Sequence, residues 1–281
     1  MSESSEEEWV TTKYTWPTGA EIHAKDFIFG GLYTSILQHP RSPNKVLKGP
    51  LVEYTEQDNG SFATDPIRGA RNQKRIDREA KAYERVAGIK GVVGFHGLEY
   101  GCISLDYHPI ESLDMLQLKR PEYLPPIDVR LKWMTDAIRI VAACHEARVL
   151  WIDIALRNFV VAADQTLRGI DFCDAYILPI TTDMATANID GLTVKHDLFY
   201  LANALYSIAT WTHYENVVGI CGIKWPAYNE MPGIEGVPLG YIIRACWERR
   251  ISSAQDMLKY CMGHKSRRRL KSRYAVTPWR K

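Results

Sequence analysis

The sequence predicts an α+β fold in two parts, the first rich in strands and the second rich in helices. In the first part, short runs at 27–29 and 45–49 carry the apolar residues that are typical of strands. Beyond Tyr107 the apolar residues recur every three or four positions, as they do on the buried face of a helix. A chain of 281 residues that is 46% hydrophobic can bury a full core.

One helix and two more strands complete the predicted first part. Residues 74–87 predict a helix, because apolar residues recur on one of its faces. These residues are Ile76, Ala80, Tyr83 and Ala87. Residues 91–96 and 101–107 are further strand candidates.

Three helices are predicted in the second part. Residues 128–148 and 196–210 each repeat an apolar residue at helical spacing. The apolar positions are Leu131, Met134, Ile138 and Val141 in the first, and Leu198, Leu201, Ala202, Leu205 and Ile208 in the second. Ser-Ser-Ala-Gln at 252–255 has the pattern of a capping box, and it predicts a last helix through Met257 and Tyr260.

Bulk composition argues against several classes of protein. No segment approaches the ~18 uninterrupted apolar residues of a transmembrane helix. The first eight residues are acidic and polar, unlike a secretory signal. The six cysteines show no Cys-x-x-Cys spacing, which favours reduced thiols over a disulfide framework or a zinc site. We therefore expect an intracellular protein, cytoplasmic or nuclear, with no membrane partner.

The charge is distributed unevenly along the chain. Residues 264–281 hold eight Lys and Arg and no acid, so the remaining 263 residues carry a net charge of −6. Three interpretations of this basic tail stay open: a nuclear localisation signal, a contact for nucleic acid or acidic partners, or a solvated segment. The acidic body argues against nucleic acid as the main partner. Residues 1–20 are rich in Ser and Glu and predict a disordered acidic tail.

An acid, an amide and a second acid follow one another at an informative spacing. Asn158 comes five residues after Asp153, and Asp171 comes 18 residues after it. In phosphoryl transfer one carboxylate accepts or orients the proton of the attacking hydroxyl. A second carboxylate and an amide oxygen hold Mg²⁺, which prefers such hard ligands. Residues 160–170 predict two short strands around a polar turn.

These motifs resemble the catalytic and metal-binding loops of eukaryotic protein kinases, His-Arg-Asp-x-x-x-x-Asn and Asp-Phe-Gly. The resemblance runs from about residue 25 to residue 260, and the Cys-Trp segment at 246–254 is similar to divergent fungal kinase domains. It implies a bilobal protein kinase-like fold. Residues 21–107 would form a small antiparallel-sheet lobe with one key helix, and residues 108–263 a larger helical lobe.

The resemblance also implies how ATP is bound. Lys48 would neutralise the α- and β-phosphates, and Glu79 would be its ion-pair partner, since Glu79 lies on the apolar face of its helix. The other implied ATP-binding positions are Gly31 of the glycine-rich loop, Ile36, Val46 and Val160 around the adenine ring, Leu105 as gatekeeper, and the hinge residues Asp106 and His108.

Four residues carry the implied chemistry. Asp153 would be the catalytic base, and Arg157 would steady the transferred phosphoryl group. Asn158 and Asp171 would bind Mg²⁺. Asp197, at the start of a predicted buried helix, matches the family's acid that bonds the backbone of the catalytic loop.

The chain also departs from the family pattern. Its glycine-rich loop keeps one or two of three expected glycines, and Trp151-Ile152 replaces His-Arg, although the aromatic ring can still pack in the core. Cys173 replaces the glycine of the metal-binding loop. Asp171 and Asp197 are only 26 residues apart with no Ala-Pro-Glu between them, so the peptide-docking platform is shortened or absent.

The leading functional hypothesis is an ATP- and Mg²⁺-dependent protein kinase-like enzyme that phosphorylates a protein hydroxyl. A pseudokinase that binds nucleotide or acts as a scaffold is the first alternative. A small-molecule kinase that resembles the aminoglycoside phosphotransferases is the second, because Asp174 supplies an extra acid beside Asp171. The preference between serine, threonine and tyrosine stays open.

Overall fold

The computed structural model describes residues 13–14, 26–51, 53–56, 62–216 and 225–262. It divides into two compact units. The first contains Met1–Glu84 and Gly94–Tyr107, and the second contains Arg85–Val93 and His108–Lys281. The predicted basic tail lies outside the described residues, and so does the predicted acidic tail apart from residues 13–14.

The first unit is built on antiparallel strands. Its elements are β1 (Lys13–Tyr14), β2 (Phe27–Gly30), β3 (Thr34–Gln38), β4 (Lys45–Pro50), β5 (Glu53–Glu56), β6 (Phe62–Thr64), α1 (Pro66–Val86), β7 (Phe95–Glu99) and β8 (Cys102–Asp106). Five strands form one sheet in the order β2-β3-β4-β8-β7, and three form a smaller sheet in the order β1-β5-β6. Leu37, Leu47 and Cys102 pack together as a core cluster, with Phe27 against them.

Helix α1 starts eight residues earlier than predicted. Residues 66–73 contain Ile67 and Ala70 but no sustained apolar repeat, so the periodicity that indicated a helix from residue 74 does not extend to them. The start is instead stabilised by Asp65, whose carboxylate accepts hydrogen bonds from the backbone N–H groups of Ile67 and Arg68. The predicted apolar face is confirmed at Ile76, Ala80 and Tyr83, which are buried, but not at Ala87, which is exposed and follows the last helical residue, Val86.

The strand predicted at 91–96 lies instead at Phe95–Glu99. Gly91 has a φ of +99°, and a Cβ atom there would lie 2.7 Å from the side chain of Ile140. The chain therefore turns at this glycine and becomes extended only afterwards.

The second unit is mainly helical. Its elements are α2 (Leu113–Lys119), α3 (Ile127–Glu146), β9 (Val149–Leu150), β10 (Phe159–Val161), β11 (Leu167–Gly169), β12 (Tyr176–Ile177), α4 (Val194–Thr210), α5 (Gly240–Trp247) and α6 (Ala254–Met262). The pairing of β10 with β11 confirms the predicted hairpin, and β9 pairs with β12. Helix α3 packs on α4 and α6, and α4 packs on α5.

Helices α4 and α6 have different caps. In α4, Thr193 and His196 form a capping box, and almost every residue is buried. In α6 the predicted box is shifted by one residue: Ser253 accepts from the backbone N–H of Asp256 and donates to its carboxylate. An acid three residues after a serine serves this geometry as well as the glutamine of the predicted pattern.

The predicted α+β class is confirmed, with an antiparallel sheet in the first unit and helices dominating the second. Among the described residues, no helix is both long and apolar enough to cross a lipid bilayer. The five described cysteines are free thiols.

Candidate functional site

The loop that joins β9 to Asn158 is held by one buried carboxylate. Asp197, in the first turn of α4, is 0% exposed. Its two oxygens accept hydrogen bonds from the backbone N–H groups of Trp151 (2.9 Å) and Ile152 (2.7 Å). The ring of His145 bonds the same carboxylate at 2.8 Å. The predicted contact between Asp197 and this loop is therefore present.

The loop contains a strained backbone position. Ile152 has a φ of +66°, a region that β-branched residues rarely adopt. Such a conformation persists only where the surroundings hold it, and here the N–H groups of Trp151 and of Ile152 itself are bound to Asp197. The residue that follows is Asp153, whose backbone N–H donates to the carbonyl of Trp151.

Trp151 links this loop to Asp171. Its fully buried ring stacks on Phe172, with centroids 4.8 Å apart, and meets Phe159 edge to face at 5.3 Å. Its indole N–H donates to the backbone carbonyl of Asp171 at 2.8 Å. The prediction that the aromatic ring packs in the core is confirmed.

Asn158 holds Asp153 in one orientation. Its side-chain amide donates to the backbone carbonyl and to Oδ2 of Asp153, both at 2.8 Å. Burial raises the pKa of Asp153, while Arg157 and Asn158 lower it. The nearby charges of Asp171 and Asp174 raise the pKa further. A carboxylate with this balance is suited to accepting a proton.

Arg157 lies between two carboxylates. One guanidinium nitrogen contacts Oδ1 of Asp153, and another contacts Oε1 of Glu215 at 2.9 Å. The ring of His213 is 3.6 Å from the second oxygen of Glu215. Sequence reasoning did not find Glu215, because it is 58 residues from Arg157 and no motif connects the two.

Asn158 and Asp171 fit the role of magnesium ligands. Both amide protons of Asn158 point to Asp153, so its amide oxygen is the atom left for a cation. Asp171 has a φ of +61°, and its carboxylate accepts from the backbone N–H of Cys173 at 3.3 Å. Among the described residues no three His, Cys, Asp or Glu side chains form a metal-binding group.

The first unit contains a buried ion pair. Nζ of Lys48, on β4, lies 2.8 Å from Oε1 of Glu79, on α1, and the two side chains are 6% and 0% exposed. Glu79 therefore faces inward, as predicted. A buried pair recovers little net stability after both charges are desolvated. The contact holds the ammonium group of Lys48 in a fixed position.

Four of the predicted ATP-binding residues share one face of the five-stranded sheet. Val46 and Lys48 are two positions apart on β4, so their side chains point to the same side. Ile36 is directly opposite Lys48, and Leu105 is directly opposite Val46. Opposed residues of neighbouring antiparallel strands lie on the same face. The sheet thus brings these four residues together.

The predicted adenine-binding hinge and the predicted glycine of the phosphate loop match their expected roles less closely than these four residues do. The backbone N–H of Asp106 donates to Gly94, and that of Tyr107 donates to Asn44, so these two amides are already engaged. The carboxylate of Asp106 bonds the ring of His96 at 2.7 Å. At Gly31 a Cβ atom would make only ordinary contacts, so nothing in the unit itself requires a glycine there.

The second unit contains the remaining predicted residues. Val160 is half-buried on β10, opposite Arg168, and forms an isolated bridge with Ser112. His108 is the first residue of this unit after the segment that belongs to the first.

Comparisons with known proteins gave no match: none of the protein-family models fits the chain, and no curated protein matches it. The interpretation of the site therefore depends on the geometry of each unit.

Proposed function

We propose that this protein is an ATP- and Mg²⁺-dependent phosphotransferase of the protein kinase type, which transfers the γ-phosphate to a protein hydroxyl. The observation that carries the proposal is the loop at 151–158. Asp197 holds its backbone from a buried position, and Asn158 holds the carboxylate of Asp153. This much organisation around one partly exposed acid is characteristic of a catalytic base.

Each residue has a distinct role in the proposed reaction. Asp153 orients the acceptor hydroxyl and takes its proton. Asn158 and Asp171 provide oxygen ligands for Mg²⁺, which neutralises charge on the phosphates when it is bound. Lys48 donates to the phosphates, with Glu79 holding its ammonium group.

The first test is nucleotide binding. We expect ATP with Mg²⁺ to raise the melting temperature, since a ligand at 100 times its dissociation constant adds about 2.7 kcal/mol of stability. The Lys48→Met variant should lose most of that shift. If ATP with Mg²⁺ fails to shift the melting temperature of the native chain, the proposal is wrong.

The second test is phosphate transfer. Asp153→Asn should lower turnover by about 10²–10⁴-fold, the usual contribution of a general base, while ATP binding persists. Asp190→Asn is a matched control, because Asp190 is exposed and its φ of +51° is well tolerated by asparagine. Equal turnover in Asp153→Asn and Asp190→Asn would exclude Asp153 as the base.

A small-molecule acceptor is one alternative. Residues 178–193, all of them described, form turns with no helix or regular strand, so a surface for an extended peptide is not evident there. Asp174 is also close enough to Asp153 to raise its pKa. Assays with peptide pools and with small amino alcohols separate the two functions, and phosphate found only on a small molecule would favour this alternative.

A nucleotide-binding pseudokinase or scaffold is the other alternative. The contact of Arg157 with Asp153 favours it, since a carboxylate paired with a guanidinium is a poorer base. ATP binding without transfer to any acceptor, in both the native chain and Arg157→Gln, would support this function.

A further inference from the structure

Helix α1 carries a basic surface on the side opposite its buried face. Four exposed side chains form this surface, which we call the basic face: Arg71, Lys74, Arg78 and Lys81. Their spacing of three or four residues places them in one row along about 15 Å of helix. Within Pro66–Lys81 there are six Lys and Arg and two acids, and one of those acids is the buried Glu79.

The basic face lacks anionic partners within the described residues, where no carboxylate lies within 4 Å of its charged nitrogens. Like charges three or four positions apart repel one another along a helix. The row is therefore unfavourable for the helix by itself.

Two other arginines of α1, by contrast, have partners for their guanidinium groups. The guanidinium of Arg75 lies 4.1 Å from the ring centroid of Tyr33. Arg85 donates to the backbone carbonyls of Ala147 and Leu178. The basic face has neither kind of contact among the described residues, which is the arrangement expected of a surface that receives an anionic partner.

The chain contains an anionic segment within reach. Residues 1–8 include four Glu and no Lys or Arg, and they lie outside the described residues. Strand β1 ties residues 13–14 to β5, which pairs with β6, the strand that precedes α1. β1 is therefore two strand spacings, about 10 Å, from the strand that leads into the helix. From residue 13, ten residues of extended chain span about 33 Å to residue 3 and five residues span about 16 Å to residue 8, which is comparable with the length of the basic face.

We propose that the acidic segment, residues 1–8, docks on the basic face of α1 in the same chain. The charges are complementary, and the tether at β1 gives the segment a high local concentration. Another polyanion is disfavoured as the main partner, because the body of the protein is itself acidic. The proposal does not depend on the phosphotransferase function. If both hold, the segment contacts the helix that carries Glu79.

Zero-length carbodiimide cross-linking of the full chain tests the contact, because this reagent joins a carboxylate to a lysine amine only when they touch. We expect peptides that join Lys74 or Lys81 to Glu3, Glu6, Glu7 or Glu8, detected by mass spectrometry. Lys90 and Lys195, exposed and outside α1, are the internal reference. Salt at about 1 M, where the Debye length is about 3 Å, should remove the links.

A charge variant makes the test specific. Arg71→Gln/Arg78→Gln keeps both reactive lysines but halves the charge of the basic face, and it should reduce the cross-link yield several-fold. Arg41→Gln/Arg120→Gln is the matched control, because it removes two exposed arginines elsewhere and should leave the yield unchanged.

Three outcomes would overturn the proposal. The first is a cross-link yield at Lys74 and Lys81 no higher than at Lys90 and Lys195. The second is links that, in a mixture of ¹⁴N- and ¹⁵N-labelled protein, join only different chains, which would make a second copy the partner. The third comes from labelling Lys74 and Lys81 with an acylating reagent. If replacing the four Glu by Gln leaves this labelling unchanged while a DNA duplex blocks it, the basic face is a nucleic-acid site.

Discussion

Lys48 and Glu79 lie 2.8 Å apart with almost no contact with solvent, so their ion pair offsets part of the hydration that each charge loses on burial. We predict that Glu79→Gln lowers the free energy of unfolding by about 3–5 kcal/mol, because a single charge is then left buried. Chemical denaturation measures the change. The double variant Lys48→Met/Glu79→Leu should recover much of the loss. A double variant as unstable as Glu79→Gln would mean that packing, and not charge, explains the effect.

Glu99 makes stability depend on pH. The hydrogen bond from His39, 2.9 Å long, is the largest cause that lowers the pKa of Glu99 to about 2 from an ordinary value of 4.5. The carboxylate therefore contributes stability above about pH 4.5, and this contribution is lost as the pH falls towards 2. We predict that His39→Gln is destabilised at pH 6 and that its difference from the native chain shrinks by pH 2.5. Unfolding curves at pH 6 and pH 2.5 measure the difference in the free energy of unfolding between the variant and the native chain. The same difference at both pH values would contradict the assignment.

The pairing of Asp153 with Asn158 was predictable from the sequence because five residues separate them and their contact is local. The inward side of Glu79 followed from helical spacing alone. The contact between Arg157 and Glu215 was not predictable, since it joins residues 58 apart that only the folded chain brings together. The bond between His145 and Asp197 was missed for the same reason.

At the scale of elements, the first turn of α4 supports the loop at 151–158. An asparagine at position 197 keeps only one good acceptor oxygen for two backbone N–H groups. We predict that Asp197→Asn costs about 1–3 kcal/mol of stability through the unsatisfied donor. Hydrogen exchange should quicken at the amides of Trp151 and Ile152. Asp114→Asn, at a first-turn acid of α2, is the control and should leave those amides protected.

Long, periodic helices were predicted well, and short ones were not. Helices α3 and α4 lie within two residues of their predicted bounds, because their apolar rows are strong. Helices α2 and α5 have seven and eight residues, too few for a spacing pattern to stand out. Two-residue strands such as β1 and β9 depend on partners far along the chain, so local sequence contains little signal for them.

At the scale of the whole molecule, the charge separates into an acidic body and a basic tail. Without residues 264–281 the net charge changes from +2 to −6. We predict that the full chain is retained on a DNA column at low salt, with retention falling steeply as salt rises. The chain truncated after residue 263 should pass through. Strong retention of the truncated chain would show that the body itself has a nucleic-acid surface.

The division of the chain into a strand-rich and a helix-rich part followed from composition and periodicity. Interleaving was not foreseen: Arg85–Val93 belongs to the second unit although it precedes β7 of the first. The reason is physical, because the turn at Gly91 packs on Ile140 and its carbonyl accepts from Gly169. Close contacts of this kind, made by the backbone, produce no repeating pattern of residue types in the sequence.

The indole of Trp151 has a consequence for the conditions under which the protein works. An imidazole in its place would gain a proton between neutral and mildly acidic conditions, but an indole N–H has no proton to exchange in that range. Titration of the side chain itself therefore does not alter the bond to the carbonyl of Asp171 in this pH range. Any response of this protein to acid must originate in other groups.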